Sequence, residues 1–253
     1  MVPRAVLATA LVSALAATAA AQQIADEHSR REALRHYRDG QEFMAAEKFD
    51  RAAEEFSKAT HKDRLLTLAY YFLGQAYGNQ QRYEHAIRAY GDCIEACRAI
   101  YALRQTNKFE ADRRRDDEVR ALRETVALAR AQAVRTPGTG LGLRATQLEQ
   151  QMQSLERDRS SIDGPFQPPA EVLLALGSAL FHNGQIEQAE FEWRAALQVN
   201  PKLGEAHNNL AVLLMRTGRL TAAAEEIQLA ERYGIRVNPQ FKKDLKQARG
   251  QGR

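Results

Sequence analysis

The sequence lacks the residue patterns on which metal, phosphate or nucleophile chemistry depends. No two of its 6 histidines stand at helical ligand spacing, and no cysteine cluster accompanies them. Gly138, Gly140 and Gly142 are followed by no Lys-Ser or Lys-Thr pair, so they predict a hinge and not a phosphate-binding loop. Ser178 and His182 lie four residues apart, but no third group or oxyanion donor accompanies them. The sequence therefore predicts no metal, no cofactor and no enzymatic activity.

Charge of one sign is also scarce. The 36 basic and 32 acidic residues leave a net charge of +4, which is too small to indicate a nucleic-acid-binding protein without clustering. The basic run Arg113–Arg115 is followed at once by Asp116, Asp117 and Glu118, which predicts a solvated helix face. We expect no nucleic acid among the partners.

Long apolar runs are absent after the first residues, and those first residues are typical of an export signal. A positive start at Met1–Arg4, an apolar stretch at Ala5–Ala17 and small residues at Ala19–Ala21 precede Gln22. The stretch is shorter than the roughly 20 residues that a membrane-spanning helix needs. The sequence thus predicts a signal peptide over 1–21, an exported protein that is periplasmic or secreted, and no transmembrane segment in the mature chain. An uncleaved anchor or an ordinary Ala-rich helix is the alternative.

The residues that are abundant are helix formers, and they recur with a fixed period. Ala, Arg, Gln, Glu and Leu are common, whereas the chain has only 7 Pro and 7% aromatic residues, which predicts an all-α protein. Aromatic, aliphatic and small residues repeat at a spacing of 34 in both halves. The matches in the N-terminal half are Gly40, Phe43, Phe49, Ala52, Phe56 and Ala59 with Gly74, Tyr77, Tyr83, Ala86, Tyr90 and Cys93. Those in the C-terminal half are Leu176, Gly177, Leu180, Gly184, Ile186, Ala189, Trp193 and Ala196 with Leu210, Ala211, Leu214, Gly218, Leu220, Ala223, Ile227 and Ala230.

Each repeat unit is predicted to be a pair of packed helices. Gly74 and Gly177 leave room for a second helix to approach the first closely, and that second helix carries a small-large-small face. Asn183-Gly184 and Thr217-Gly218 supply a tight turn within each pair, and Asn200-Pro201 ends one unit. Because a lone pair cannot bury its apolar stripe, the units are expected to stack.

The pattern resembles the tetratricopeptide repeat (TPR). The residues that carry the resemblance are Leu173, Leu176, Gly177, Leu180, Ala189, Trp193, Ala196 and Pro201. The resemblance implies an all-α, TPR-type α-solenoid, a superhelix of antiparallel helix pairs that binds other proteins. Repeats are placed at 33–66, 67–100, 170–203 and 204–237, so that an N-terminal helix and two repeats fill 22–100, two repeats fill 170–237, and a capping helix and tail fill 238–253.

Residues 101–169 do not carry the repeat motif. Apolar residues there recur at three- and four-residue steps on two predicted helices, a spacing similar to that of coiled coils. The residues are Val119, Leu122, Val126, Ala129 and Ala133, and then Leu141, Ala145, Leu148, Met152 and Leu155. Thr136–Gly140 separates the two helices. We interpret the segment as an inserted antiparallel helical hairpin that can be removed without unfolding the repeats; two degenerate repeats are the alternative.

Cys93 and Cys97 lie one helical turn apart in a chain expected to meet oxidising conditions. A disulfide at this spacing in a regular helix has unfavourable geometry, and Cys93 occupies a position that is Ala in other repeats. We therefore expect Cys93 to be a small buried residue.

Function is expected to reside in the inner face of the stacked first helices. The residues predicted to lie opposite the core stripe there are Tyr37, Gln41, Met44, Tyr71, Gln75, Asn79, Ser178, Phe181, His182, Asn208, Val212, Met215 and Arg216. The alternative is that they are merely tolerated at a solvent-facing surface. This mixed face predicts an envelope scaffold or assembly factor that binds a peptide segment or helix of a partner protein. An accessory protein of polysaccharide secretion or cell-wall machinery, and an enzyme with an unrecognised site, are the other hypotheses.

Overall fold

The computed structural model describes residues 25–135 and 165–251, together with positions 142, 145, 146, 148, 149, 152 and 153. Within these residues every regular element is an α-helix, as predicted. The helices are α1 (Glu27–Ala45), α2 (Phe49–Lys62), α3 (Thr67–Asn79), α4 (Tyr83–Thr106), α5 (Lys108–Arg135), α6 (Ala170–His182), α7 (Ile186–Val199), α8 (Gly204–Arg216), α9 (Leu220–Arg232) and α10 (Pro239–Gln251). The predicted signal peptide, the Thr136–Gly140 turn, Leu141 and Leu155 lie outside the described residues.

The helices belong to two compact units. Among the described residues, unit 1 comprises those up to Ala76 and those from Asp92 to Phe166, and unit 2 comprises Tyr77–Gly91 and those from Gln167 onward. Helices α3 and α4 contribute residues to both units. The pair α1–α2 lies wholly in unit 1, and the pairs α6–α7 and α8–α9 lie wholly in unit 2, followed by α10.

Glycine on the first helix of a pair lets the second helix bring an aromatic ring against its backbone. A Cβ atom added at Gly177 on α6 would lie 2.6 Å from the Trp193 ring on α7, and one added at Gly40 on α1 would lie 2.6 Å from the Phe56 ring on α2. Both rings are buried. The Trp193 indole Nε1 also donates to the Leu174 carbonyl at 3.1 Å, which satisfies the one polar atom of the ring. The close approach predicted at Gly177 is confirmed.

The first helix of each pair ends with the same hydrogen-bonded turn. The Gln185 backbone N–H donates to the Leu180 carbonyl at 2.9 Å, which is the six-to-one bond of a Schellman motif. The residue before Gln185, Gly184, adopts the left-handed conformation that this motif requires, with φ of 82°. The corresponding left-handed positions of the other pairs are Glu47, Gln81 and Gly218, with φ of 56°, 60° and 76°.

The connection between the last two helix pairs and the C-terminal helix lie where the sequence predicts them. Asn200-Pro201 lies between α7 and α8, although α8 begins only at Gly204. The last helix begins at Pro239, within the predicted capping segment 238–253, and its Leu245 is buried while Lys242 and Lys243 are exposed.

Helix α5 packs on α1 within unit 1. The Arg30 guanidinium of α1 pairs with Glu110 at 3.3 Å and with Asp117, both on α5. Further along the two helices, Arg38 Nε donates to Glu124 at 2.9 Å. Residues 101–106 of segment 101–169 thus complete α4, and α5, which follows, is bound to α1.

The prediction of a solvated face over residues 113–118 is wrong at Glu118, which is 4% exposed, and at Arg114. Its side chain is only 3% exposed, and its guanidinium pairs with Asp63 at 2.8 Å and with Glu110 at 2.9 Å. Asp63 follows α2, so Arg114 joins α5 to the end of the first repeat. An arginine is buried here because both of its carboxylate partners are buried or half-buried with it.

The apolar stripe predicted on α5 is buried at Val119, Leu122, Val126 and Ala129. In the segment that follows, Ala145 and Leu148 are also buried. At 28 residues, α5 is about twice as long as the 13-residue α6 and the 14-residue α7. That length favours the hairpin interpretation over degenerate repeats, and the hairpin stays a prediction.

Both cysteines are free thiols. Cys93 is 1% exposed, and its Sγ donates to the Thr67 carbonyl at 3.4 Å. Burial of Cys93 as a small core residue is confirmed.

Candidate binding face

Helices α6 and α8 are the first helices of two successive pairs in unit 2, and they carry equivalent residues 34 positions apart. The predicted face residues on them are half-buried or exposed, which leaves them accessible to a partner. The equivalent residues are Ser178 with Val212, Phe181 with Met215, and His182 with Arg216, and Asn208 lies one turn before Val212. The structure therefore brings seven of the predicted residues onto two adjacent helices.

Phe181 is the centre of this face. Its ring lies 5.5 Å from that of Trp193, and the Arg216 guanidinium carbon lies 5.0 Å from the ring centroid. A cation at this distance is attracted to the face of the ring, so Arg216 is held over Phe181. Beside them, His182 stacks on Tyr83 with a centroid distance of 5.2 Å and an interplanar angle of 16°. The result is a platform of aromatic rings with one guanidinium group.

Ser178 and His182 do not form a nucleophile–base pair. The Ser178 hydroxyl donates to the Leu174 carbonyl at 2.9 Å and accepts from the Asn209 amide at 3.3 Å. Ser178 therefore helps to tie α6 to α8 through Asn209.

Sequence reasoning missed two carboxylates at the other end of these helices. Glu171 and Glu205 lie in the first turns of α6 and α8, again 34 residues apart. Burial raises the pKa of Glu205, and the nearby Glu171 carboxylate raises it further. The recurrence of Glu at the 34-residue spacing is the signal in the sequence that points to this pair.

Three residues predicted for the binding face are instead in the core of unit 1. Tyr37, Gln41 and Met44 are 0%, 2% and 6% exposed. The Tyr37 ring lies 6.0 Å from that of Phe56 and 5.8 Å from that of Phe72, so it packs between α2 and α3. The prediction that these residues lie opposite the core stripe is wrong, because this side of α1 is buried and the Tyr37 ring on it contacts α2 and α3.

The remaining predicted residues lie on α3. Tyr71 and Gln75 are half-buried and belong to unit 1, and Tyr71 packs edge-on against Phe72 at 5.3 Å. Asn79 is exposed and belongs to unit 2. The candidate binding face is accordingly that of α6 and α8.

One group of potential metal ligands occurs among the described residues, at His36, Asp39 and Glu55. His36 Nδ1 lies 2.6 Å from a Glu55 carboxylate oxygen, and Lys58 Nζ lies 2.6 Å from the other oxygen of the same carboxylate. The same arrangement recurs at His207 and Glu226, also at 2.6 Å. In both places the histidine–glutamate bond joins the two helices of a pair, and at Glu55 the carboxylate is also bound by Lys58. The pairing of the helices therefore explains why His36 and Glu55 lie close together.

Known proteins share these repeats. Residues 169–234 and 68–100 each match a family model described as tetratricopeptide repeat. The chain thus contains tetratricopeptide repeats, within the fold class of the TPR-type α-solenoid, and such repeats generally mediate protein–protein interactions. No curated protein matches the sequence.

Several solved structures are similar at low identity. YrrB, a TPR protein with an unusual peptide-binding site, is 16% identical over 84% of this chain and 90% of its own, with a TM-score of 0.28. TTC0263, a thermophilic TPR protein of Thermus thermophilus, is 18% identical over 85% of this chain and 98% of its own, with a TM-score of 0.33. MamA of Desulfovibrio magneticus RS-1 is 14% identical over 80% and 95%, with a TM-score of 0.28. Similarity this low says nothing about the partner of this chain.

None of the helices in the described part of the chain combines the length and the apolar character needed to cross a membrane.

Proposed function

We propose that this protein is a non-catalytic interaction scaffold that binds a peptide segment or helix of a partner protein on the α6–α8 face. The observation that carries the proposal is the recurrence of accessible side chains at equivalent positions of two successive repeats, centred on Phe181 and Met215. Repetition at 34 residues places the same kinds of contact along an extended ligand. The Met215 side chain, the exposed part of Phe181 and the amide of Asn208 supply apolar area and hydrogen-bonding groups suited to a polypeptide.

The charges of the face favour a particular kind of segment. Glu171 and Glu205 repel each other at one end, and a cationic side chain placed there would relieve the repulsion. Phe181 and Met215 lie about three turns further along the helices and favour an apolar side chain. The proposed ligand therefore carries Lys or Arg near one end and an apolar residue further along.

A role in the cell envelope rests on the proposed export signal at 1–21. A polysaccharide partner is less favoured, because the only Trp of the chain, Trp193, is 2% exposed and has no free face for stacking on a sugar. Export predicts that the N-terminus of the mature protein lies at or next to Gln22. N-terminal sequencing of protein from the envelope fraction tests this, and recovery of intact Met1 from the cytosol would contradict it.

Site-specific photo-crosslinking tests the binding face. A photoreactive residue placed at Val212 should crosslink a protein in envelope extract, whereas the same residue at Gln228, an exposed position of α9, should not. Adding Arg216→Ala to the Val212 probe should reduce the crosslink without lowering the melting temperature, since Arg216 is exposed. Equal crosslinking from Val212 and Gln228 would show that the α6–α8 face is not the binding site.

A further inference from the structure

A cleft of about 470 Å³ lies between the start of α4, helix α6 and helix α7 in unit 2. Leu176 and Leu180 of α6 form its buried floor, at 8% and 5% exposure. Ile87 and Gly91, one turn apart on α4, line one side. The volume lies within the range of binding pockets, which is about 300–1,000 Å³.

The opposite wall carries an aromatic side chain that the fold leaves uncovered. Phe191 on α7 lines the cleft and is 69% exposed. Ala195 and Val199 follow it at four-residue steps on the same helix, half-buried and 37% exposed respectively. This apolar stripe is about 12 Å long at 1.5 Å per residue. The core face of α7 is a different one, formed by Ala189, Trp193 and Ala196, so α7 has a second apolar face that is partly exposed to solvent.

The rim of the cleft is negatively charged. Two carboxylates, Glu187 and Glu192, line it, and no cationic group does. Neither forms an ion pair with a described residue, whereas Glu190 on the same helix is held by Arg194 and Arg219. Burial raises the pKa of Glu192, and a cation supplied from outside would offset that effect.

We propose that this cleft, together with the Phe191–Val199 stripe, docks an amphipathic helix of a partner protein whose apolar face is flanked by Lys or Arg. Residues one turn apart line the cleft on each of the three helices, which is the arrangement of a groove that receives a fourth helix. Phe191 and the buried leucines contact the apolar face of the docked helix, and Glu187 and Glu192 pair with its cations. The cleft shares helix α6 with the α6–α8 face but none of its residues, so each surface can fail without the other.

Gly91 provides a way to fill the cleft without damaging the fold. A Cβ atom added at Gly91 meets no atom within 4 Å. Gly91 lies inside α4, and residues other than Gly and Pro are preferred inside a helix. Gly78 on α3 has the same open surroundings but does not line the cleft. Substitution of each glycine by Phe therefore gives a matched pair of variants.

The test uses the full-length protein and a synthetic helix-forming peptide of about 18 residues, with a Leu stripe flanked by Lys. A second peptide has Glu in place of every Lys. Binding is measured by fluorescence anisotropy, and the melting temperature of every variant is measured beside it. We expect the Lys peptide to bind at least about tenfold more tightly than the Glu peptide. Gly91→Phe should lose at least about tenfold in affinity, and Gly78→Phe should change it by less than about twofold.

Removing the rim charges with Glu187→Gln and Glu192→Gln should bring the affinities of the Lys and Glu peptides to within about threefold of each other. Unchanged binding by Gly91→Phe overturns the proposal, and so does an equal loss in Gly78→Phe. If the wild-type protein is a dimer that Gly91→Phe dissociates, the cleft is occupied by a second copy of the chain and the proposed partner is wrong.

Discussion

Arg114 shows how strongly one residue can connect distant parts of this chain. Its guanidinium pairs with Asp63, 51 positions earlier, with side-chain exposures of 3% and 6%. Removing one partner of a buried ion pair leaves the other charged and desolvated, which costs more than the pair contributes. The sequence could not predict this, because Arg114 stands in a run of charges that is typical of a solvated face.

Arg114→Ala is therefore expected to lower the free energy of unfolding by about 3–5 kcal/mol. Arg113→Ala is the matched control, because the Arg113 side chain is 45% exposed and pairs with the exposed Glu27. A surface pair contributes about 0–1 kcal/mol, so the control should unfold nearly like the wild type. Denaturant unfolding followed by circular dichroism measures both, and equal effects would show that Arg114 is not buried.

Glu118 is a buried acid in the same part of unit 1. Its carboxylate accepts from the Thr67 backbone N–H at 2.8 Å and from the Thr67 hydroxyl at 2.6 Å. Burial raises the pKa of Glu118 from 4.5 to about 7, and the nearby Asp63 carboxylate raises it as well. The two hydrogen bonds from Thr67 and the Arg114 guanidinium lower the pKa but do not cancel the effect of burial. The folded protein consequently binds a proton at Glu118 more tightly than the unfolded chain does.

This raised pKa makes stability depend on pH. Its contribution is fully present below pH 4.5 and is lost as the pH rises to about 7, where the buried carboxyl ionises. The whole loss is roughly 3 kcal/mol on the basis of the pKa difference. Glu118→Gln keeps an acceptor for the Thr67 N–H and a donor for its hydroxyl, but it does not titrate.

We therefore expect the wild type to be less stable at about pH 8 than at about pH 5, and Glu118→Gln to lose less over that interval. Urea unfolding at the two pH values provides the comparison. Parallel losses in the wild type and the variant would assign the pH dependence to other groups.

At the scale of helices and turns, the agreement between pattern and structure is close. Gly177 and Trp193 predict the packing of α6 on α7 because only a small residue admits the ring, and Gly184 predicts the turn because it adopts positive φ without a clash. Patterns of this kind determine local geometry. They did not reveal that Tyr37 is buried, because its burial depends on the rings that α2 and α3 bring against it from other parts of the chain.

The turns offer a test at this scale. Glu47 and Gln81 hold the left-handed position that Gly184 holds in the α6–α7 pair, and a side chain there costs about 1–2 kcal/mol. Gln81→Gly should therefore stabilise the protein by up to about 1 kcal/mol, since the greater freedom of glycine in the unfolded chain offsets part of the gain. Gly184→Gln is the reverse change and should destabilise it. Thermal unfolding measures both, and a lower melting temperature for Gln81→Gly would contradict the argument.

At the scale of the whole molecule, the structure shows that segment 101–169 contributes to the packing of unit 1. The sequence predicted a hairpin whose two stripes cover each other, so that its removal leaves the repeats intact. The structure shows that α5 also supplies the partners of Arg30 and Asp63 and the acceptor for Thr67. Sequence patterns could not indicate these bonds, because each joins residues far apart in the chain whose proximity depends on how the elements pack.

Replacing residues 110–160 with a Gly/Ser linker is therefore expected to destabilise unit 1 and to spare unit 2. The change removes Arg114, Glu118 and Leu122, and leaves Arg30 and Asp63 buried without their α5 partners. Trp193 is the only tryptophan and lies in unit 2, so its fluorescence reports on that unit alone.

The helical content per remaining residue should fall in this variant, while the Trp193 fluorescence transition keeps its midpoint. The matched control replaces 136–140, the predicted turn of the hairpin, with Gly/Ser residues and should leave both signals unchanged. Unchanged helical content in the long replacement would restore the interpretation of a separable hairpin. A fall in helical content together with a lower midpoint of the Trp193 fluorescence transition would show that the two units unfold as one. The removal of partners from unit 1 would then have destabilised the α6–α7 pair in which Trp193 is buried.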